Sequence, residues 1–223
     1  MITVHHLEDS RSQRVLWLLE ELGVDYTIKR YERDPRTMLA PDSLREVHPL
    51  GKSPVIEDDG RVIAESGAIV EYLVDRYGDG GMIPPPGSDD RLRYTYWLHY
   101  AEGTLMPLLV LSLVFDRLSQ PPMPALLRPV GGLIGGGVRK SFIEPRISQN
   151  LAYIEEELGR SDWFAGEQPS GADMQMIFPL EVAVARDGSA GKYPRIGAYV
   201  KRVHARPAYR RALERGGPYS YAS

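Results

Sequence analysis

The hydrophobic pattern of the chain changes at about residue 88, and this change predicts two domains of different kinds. Before that point, short β-prone segments alternate with helical segments, whereas only long amphipathic helical segments follow it. Strands that alternate with helices form a sheet covered by helices, and helical segments alone pack as a bundle. We therefore expect an α/β domain in residues 1–79, a proline-rich linker in residues 80–88 and an all-helical domain in residues 89–223.

The first domain has the predicted element order β-α-β-α-β-β-α, with a short second helix near Ser43. Residues 26–31 have the alternation of a strand, and a right-handed crossover places this strand parallel to the first one. Asp59-Gly60 stands between two β-prone tetrads, which is a strong hairpin signal. These elements predict a small mixed sheet that is closed by a helix.

A stretch rich in proline and glycine, residues 121–137, separates the first two helical segments of the second domain. Both residue types are poor helix formers. We expect this stretch to be a helix interruption or a mobile loop.

The chain has no cysteine, and its formal net charge is -3. The absence of cysteine excludes disulfide bonds, metal sites built on thiolates and dithiol redox chemistry by the protein's own side chains. Any sulfur chemistry must therefore use the sulfur of a ligand or substrate. No basic tract stands out from the acidic residues, so we expect no nucleic-acid partner.

The N-terminal residues lack the basic start, apolar core and small-residue cleavage site of a secretion signal. The longest apolar run, residues 105–115, is interrupted by Pro107 and Ser112 and is too short to span a bilayer. We therefore expect a cytoplasmic protein without a membrane partner.

Pro54 begins a predicted strand, where a proline weakens strand pairing. A cis peptide bond between Ser53 and Pro54 would turn the main-chain groups of Ser53 outward, where they could pair antiparallel with an extended peptide. The alternative is an ordinary trans proline at a strand edge, and these residues alone favour that alternative.

Glu65 and Ser66 precede the last helix of the first domain. Ser66 has the chemistry of an N-cap, and the positive end of a helix favours a carboxylate. Glu65 could bind an ammonium group, so that the pair would suit an amino-acid headgroup such as a γ-glutamyl residue. A plain helix cap beside a solvated glutamate is the alternative, and the dipeptide alone favours it.

The element order of the first domain, together with the two motifs above, resembles the thioredoxin-like domain of the cytosolic glutathione transferases. The helical remainder resembles the second domain of that family. Residues 51–55 (Gly-Lys-Ser-Pro-Val) and 65–66 (Glu-Ser) carry the resemblance in the first domain. Residues 5–12, with the pattern His-x-Leu-x-x-Ser-Arg-Ser, resemble a fungal and bacterial subgroup in particular. Residues 170–173 (Ser-Gly-Ala-Asp) match the family's structural N-capping box, in which the serine accepts from first-turn amides and the aspartate reaches back to the serine amide.

The resemblance implies that glutathione is the co-substrate and that no metal takes part. It assigns Lys52 to the glycine carboxylate of glutathione, and the Ser53 main chain beside Pro54 to the cysteinyl moiety. It assigns Glu65 and Ser66 to the γ-glutamyl end. It also implies a homodimer and a small electrophilic or peroxide substrate, with the electrophile pocket in the helical domain.

The catalytic position of the family lies between the first strand and the first helix, and it holds tyrosine, serine or cysteine. Residues 1–23 contain no tyrosine or cysteine, which leaves Ser10 and Ser12. The spacing to Arg14 favours Ser10, and Ser12 has a competing explanation as the N-cap of the first helix. A hydroxyl at this position would stabilise the thiolate of glutathione by a hydrogen bond. Arg14 itself is interpreted either as part of the site's positive field or as a surface or inter-subunit residue.

The resemblance favours one function and leaves two alternatives open. The favoured function is transfer of glutathione to an electrophile, with or without glutathione peroxidase activity. A glutathione-dependent disulfide reductase needs no protein cysteine and is the first alternative. The second is a non-catalytic binding protein of the same fold, and the presence of the glutathione-binding residues counts against it.

Overall fold

The computed structural model describes residues 1–187 and 191–222, apart from the side chains of Arg186 and Asp187. Residues 188–190 and 223 of the predicted helical domain therefore lie outside the described residues. Within the described part, a four-stranded sheet and its helices are followed by helices alone. The prediction of an α/β domain followed by an all-helical domain is confirmed.

The sheet of the first domain has four strands, namely β1 (Ile2–Leu7), β2 (Tyr26–Tyr31), β3 (Val55–Asp58) and β4 (Arg61–Ala64). Their order across the sheet is β2-β1-β3-β4. β1 and β2 run parallel, and the predicted hairpin joins β3 and β4 as an antiparallel pair. Because β1 also pairs with β3, the strand that leads to the candidate serines lies in the middle of the sheet.

Helix α1 (Ser12–Leu22) connects β1 to β2, and helix α2 (Ser66–Tyr77) follows β4. A 3₁₀ turn at Asp42–Leu44 lies where the short second helix is predicted. Residues 12–19 of α1 are all buried, so this helix is enclosed on every side rather than lying on the surface. Its start is therefore held rigidly between the sheet and the second domain.

The second domain contains seven α-helices among the described residues. Two π-helical segments, Ala101–Leu105 and Arg139–Ile143, each join consecutive helices into one longer run. The helices are α3 (Asp89–Tyr100), α4 (Met106–Asp116), α5 (Arg128–Val138), α6 (Glu144–Glu157), α7 (Gly171–Asp187), α8 (Pro194–Ala205) and α9 (Pro207–Gly216).

The first helical run of this domain, Asp89–Ser119, is long and apolar enough to cross a membrane by length and composition alone. Buried core helices of globular proteins pass the same test. Trp97 and Leu105 of this run are buried in a core cluster that also contains Val15 of the first domain. Part of the run therefore belongs to the core of the protein.

The stretch rich in proline and glycine corrects a sequence prediction, because most of its second half is the helix α5 rather than a loop. Gly131 and Gly135 lie one turn apart in α5 and face the main chain of Leu118 and Phe115. A β-carbon at either glycine would collide with a carbonyl oxygen of that facing segment. Glycine is therefore required by close backbone packing, and this tertiary contact outweighs its low helix propensity.

Helix α9 folds back onto α1 and ties the end of the chain to the first domain. Trp17 of α1 meets Tyr209 of α9 edge to face, with ring centroids 5.8 Å apart. Arg211 of α9 pairs with Glu20 of α1 at 2.7 Å. As a result, the C-terminal end of α9 lies beside β1 and the beginning of α1.

Candidate active site

Ser10 and Ser12 lie where the chain leaves β1 and enters α1. Their hydroxyl oxygens are 2.7 Å apart, and Ser10 Oγ also accepts a hydrogen bond from the Ser12 amide at 3.2 Å. The interpretation of Ser12 as the N-cap is wrong, because the helix begins at Ser12 itself and no side chain caps it from the residue before. Ser10 instead supplies the acceptor for the first helical amide.

The two serines differ in exposure and in the number of their partners. Ser10 retains 6% of its surface, whereas Ser12 has none exposed. The Ser12 hydroxyl lies 2.8 Å from His6 Nδ1 and 3.2 Å from the Leu7 carbonyl, in addition to its contact with Ser10. Ser12 is thus enclosed by protein groups, and Ser10 is the outer member of the pair.

His6 lies behind the two serines and is held as a neutral ring. Burial and, to a smaller extent, the nearby positive charge of Arg30 together lower its pKa to about 4. His5, the next residue in β1, points to the other face of the sheet, where it lies 2.8 Å from both the Tyr31 hydroxyl and Glu57. Only His6 therefore belongs to the serine cluster.

The segment Lys52-Ser53-Pro54 lies next to the end of β1. The sequence left open whether the Ser53–Pro54 peptide bond is cis or trans, and in the structure it is cis. The Ser53 hydroxyl donates to the His5 carbonyl at 2.9 Å and accepts from the Leu7 amide at 3.3 Å. The Ser53 amide and carbonyl make no hydrogen bond within the described residues. Lys52 is exposed, and no charged or polar partner contacts it in the described part of the chain.

Glu65 and Ser66 lie at the start of α2, but Ser66 does not have the predicted capping role. Ser66 is the first helical residue, and its buried hydroxyl accepts from Arg14 at 3.2 Å. Glu65 precedes it with φ 70° and ψ 120°, an unusual conformation for a residue with a side chain, and its carboxylate makes no capping bond. The first-turn amides of α2 are therefore not capped by either side chain and form the positive end of a helix.

Arg14 connects these elements from inside the protein. Its guanidinium is fully buried and donates to Ser66 of α2, to Glu102 and, at 2.6 Å, to Gln175 of α7. Burial lowers the pKa of Arg14, while the carboxylate of Glu102 opposes this effect. Glu102 also pairs with Arg11 at 3.2 Å. The interpretation of Arg14 as a surface residue is wrong, because it lies at the buried interface of the two domains.

A cleft of about 430 Å³ opens between the first turn of α2 and the second domain. Its lining is acidic, and Glu65 is the one sequence-predicted site residue in it. The lining residues are Glu65, Gly67, Ala68, Glu71, Leu98, His99, Glu102, Gly103 and Gln175. The cleft therefore joins the predicted γ-glutamyl position to the helical domain.

Comparison with known proteins shows which family has this arrangement. The family model of the glutathione S-transferase N-terminal domain matches residues 10–76, and the model of the C-terminal domain matches residues 143–207. Glutathione S-transferase 3 of Schizosaccharomyces pombe is 39% identical over 216 residues, which cover 96% of this chain and 88% of the relative. The chain belongs to the glutathione S-transferase family.

Further relatives of this glutathione transferase agree over its whole length. Glutathione S-transferase 1 of Saccharomyces cerevisiae is 29% identical over 223 residues, covering 96% of this chain and 95% of the relative. The crystal structure of a glutathione S-transferase from Actinobacillus pleuropneumoniae superposes with a TM-score of 0.80 at 31% identity, covering 100% of this chain and 95% of that one. The thioredoxin-like fold of the first domain and the transferase class of the enzyme follow from these matches.

The N-capping box of the transferase is present at the start of α7, with one difference from the prediction. The Ser170 amide donates to the Asp173 carboxylate at 2.8 Å, as expected. The Ser170 hydroxyl donates to the same carboxylate at 3.0 Å instead of accepting from helix amides. Burial raises the pKa of Asp173 to about 6, although these donors favour its charged form.

Three residues of the candidate site were not predicted as site residues from the sequence. Glu102 and Gln175 contact Arg14 from the second domain, across 88 and 161 positions of chain. No local pattern marks either residue. His6 could have been suspected, because alternation along β1 places it on the face opposite to His5.

Proposed function

We propose that this transferase is of the serine type and that the Ser10 hydroxyl contacts the sulfur of glutathione. The position of Ser10 carries the proposal. It is the more exposed of the two candidate serines, and it lies directly before α1, whose positive end faces it. Ser12 supports Ser10 from behind through the amide and hydroxyl contacts already described.

Glutathione would lie along the edge formed by the cis proline segment and the start of α2. The main-chain groups of Ser53, beside Pro54, make no hydrogen bond within the described residues, and this supports antiparallel pairing with the cysteinyl moiety. Lys52 is exposed and has no partner among the described residues, and it would bind the glycine carboxylate. The first-turn amides at Ser66 would bind the γ-glutamyl carboxylate, and Glu65 would bind its ammonium group.

The proposed chemistry is activation of the bound thiol. A free thiol of this type has a pKa of about 8.5, so only a few per cent is thiolate at neutral pH. A hydrogen bond from Ser10 and the positive end of α1 both favour the anion. The thiol proton leaves to water, and the thiolate attacks an electrophilic carbon. The carbon–sulfur bond then forms as the leaving group departs with its electron pair, or as an epoxide ring opens.

The remaining assignments follow the family and are part of the same proposal. Residues 1–79 bind glutathione, residues 80–88 link the domains and residues 89–223 supply the electrophile pocket. The enzyme works in the cytoplasm as a homodimer and belongs to the fungal and bacterial subgroup with the His-x-Leu-x-x-Ser-Arg-Ser pattern. Gel filtration tests the dimer, and elution at the mass of a single 25.0 kDa chain would count against it.

Measurement of thiolate formation in Ser10→Ala tests the central assignment. The variant should bind to immobilised glutathione, but the thiolate absorbance of its glutathione complex should titrate at a higher pH than in the wild type. Ser88→Ala is a matched control, because Ser88 accepts from a helix amide at 3.1 Å, as Ser10 does, but lies at the start of α3. An unchanged titration in Ser10→Ala would reject Ser10 as the thiol contact.

Activity measurements separate transfer from the alternatives. A panel of halide, epoxide and peroxide substrates, together with a mixed disulfide of glutathione, should show transfer as the main activity. Turnover confined to the disulfide would favour the reductase, and binding without turnover would favour the non-catalytic protein. Peroxide turnover that depends on Ser10 would add peroxidase activity to the same site.

A further inference from the structure

An unbroken chain of hydrogen bonds runs from the His6 ring to the Ser10 hydroxyl. His6 Nδ1 lies 2.8 Å from Ser12 Oγ, and Ser12 Oγ lies 2.7 Å from Ser10 Oγ. Each hydroxyl has one hydrogen to donate. The direction of the whole chain therefore depends on whether His6 Nδ1 donates or accepts.

The surroundings of His6 determine that direction. The ring packs against Arg30 of β2, Ser12 of α1 and the end of α9 at Gly216, and Arg30 is the charged group that acts on it. A neutral imidazole has one N–H. A β-carbon at Gly216 would lie 3.6 Å from Nε2, so this second nitrogen is the one that faces the helix end. The Gly216 backbone also opposes the lowering of the His6 pKa, as a carbonyl that accepts from the ring does.

Gly216 is the last residue of α9, where carbonyl groups lack partners within the helix. An N–H at Nε2 satisfies that carbonyl, which leaves Nδ1 as an acceptor. The Ser12 hydrogen then goes to His6 at 2.8 Å, or to the Leu7 carbonyl at 3.2 Å, and in both cases the oxygen of Ser12 accepts from Ser10. In this arrangement the Ser10 hydrogen points into the protein.

We propose that His6 is a positioning residue, which acts through Ser12 to compete with the sulfur of glutathione for the hydroxyl hydrogen of Ser10. The inference rests on the proposed contact between Ser10 and the thiol. When bound glutathione is in its thiol form, the Ser10 oxygen accepts a hydrogen bond from the S–H group. When the thiol proton leaves to water, the Ser10 hydroxyl rotates to donate to the thiolate and gives up its bond to Ser12. The serines and His6 only reorient, and none of them gains or loses a proton overall.

This competition makes the thiolate less stable than it would be with an isolated Ser10. Ser12→Ala removes the inner acceptor but keeps the residue 12 amide, which still holds Ser10 in place. We therefore expect Ser12→Ala to lower the pKa of the bound thiol by about 0.5–1, the equivalent of one modest hydrogen bond. Ser10→Ala should raise that pKa, and adding Ser12→Ala to Ser10→Ala should have no further effect.

Variants of His6 test the far end of the chain. His6→Leu leaves only the more distant Leu7 carbonyl as an acceptor for the Ser12 hydroxyl, so it should lower the thiol pKa, but by less than Ser12→Ala does. His6→Asn can place its amide oxygen where Nδ1 lies, and it should restore the wild-type value. His5→Asn is the matched control, since His5 is equally buried in the same strand but contacts Tyr31 and Glu57 on the opposite face.

The thiolate absorbance of the glutathione complex, followed against pH, is the measurement for all of these variants. Thermal unfolding identifies any variant that does not fold, and Ser12→Ala keeps the test open if a His6 variant fails. Suppose that Ser10→Ala raises the thiol pKa but Ser12→Ala raises it or leaves it unchanged. This result would overturn the proposed direction of the hydrogen bonds from Ser10 to His6 and would leave the proposed function standing. An unchanged value in Ser10→Ala would overturn both.

Discussion

The guanidinium of Arg14, near the start of α1, donates to the Gln175 side chain in α7 at 2.6 Å, inside the buried interface of the two domains. The same guanidinium reaches Ser66 at the start of α2. The Arg14 side chain therefore connects α1, which follows Ser10, to α2, which would bind the γ-glutamyl end, and connects both helices to the second domain. The geometry of the candidate site consequently depends on both domains.

Loss of Arg14 should destabilise the protein strongly. Arg14→Ala leaves Glu102 and Gln175 without their buried partner, and removing one partner of a buried ion pair costs about 3–5 kcal/mol. Urea unfolding measures this change in the free energy of unfolding. Arg45→Ala is the control, because Arg45 pairs with Asp42 at 3.3 Å with both side chains exposed and should change stability little. Equal stability of the two variants would show that Arg14 is not the buried link between the domains.

The close packing of α5 predicts opposite effects for two glycines of the same helix. Gly131→Ala places a β-carbon against the Leu118 carbonyl and should lower the free energy of unfolding by about 1–3 kcal/mol. Gly136 has no atom within 4 Å of such a β-carbon, so Gly136→Ala should raise stability by up to about 1 kcal/mol through helix propensity. Thermal or urea unfolding compares the two variants. Equal effects would contradict the packing of α5 on the Leu118 segment.

The lowered pKa of His6 predicts a pH dependence of stability. The unfolded chain protonates His6 near its ordinary value of 6.5, whereas the native protein does so at about 4. At this residue the unfolded state therefore binds more protons between these values, and the contribution of His6 to the free energy of unfolding should fall as the pH decreases from about 6.5 to 4. The difference in pKa corresponds to a change of roughly 3 kcal/mol in the His6 contribution to the free energy of unfolding over this range.

His6→Asn isolates this contribution, because it removes the titrating group and leaves the rest of the protein unchanged. Asp173 titrates in the same range in both proteins with the opposite sign, so its contribution cancels in the comparison. Between pH 7 and pH 4.5, urea unfolding should show that acidification lowers the free energy of unfolding of the wild type relative to that of the variant. The same pH effect in both proteins would argue against a lowered pKa of His6.

Lys52 should affect glutathione binding without affecting folding. Lys52→Ala removes an exposed cation that has no partner in the described chain, so stability should not change, while the affinity for glutathione should fall about tenfold. The loss should shrink at high salt, since exposed charge pairs are screened. Calorimetry with glutathione esterified at its glycine carboxyl provides the control. If the substitution weakens binding of the ester as much as that of glutathione, Lys52 does not contact that carboxylate.

Local patterns predicted the elements that depend on local physics. The Asp59-Gly60 turn, the strand alternation and the helical periodicity each arise between near neighbours in the chain, and the structure confirms the elements they predict. The capping assignments of Ser12 and Ser66 were wrong because each helix begins at the serine itself, and a difference of one residue changes which hydroxyl is free.

The sequence by itself determined the domain order, the family and the short segments that would hold glutathione, because these depend on patterns within a few tens of residues. Tertiary structure alone decided the burial of Arg14 and the helical state of α5. Each of these depends on a partner in another element, namely Gln175 of α7 or the Leu118 segment. Such contacts form only when the chain has folded, and no local pattern encodes them.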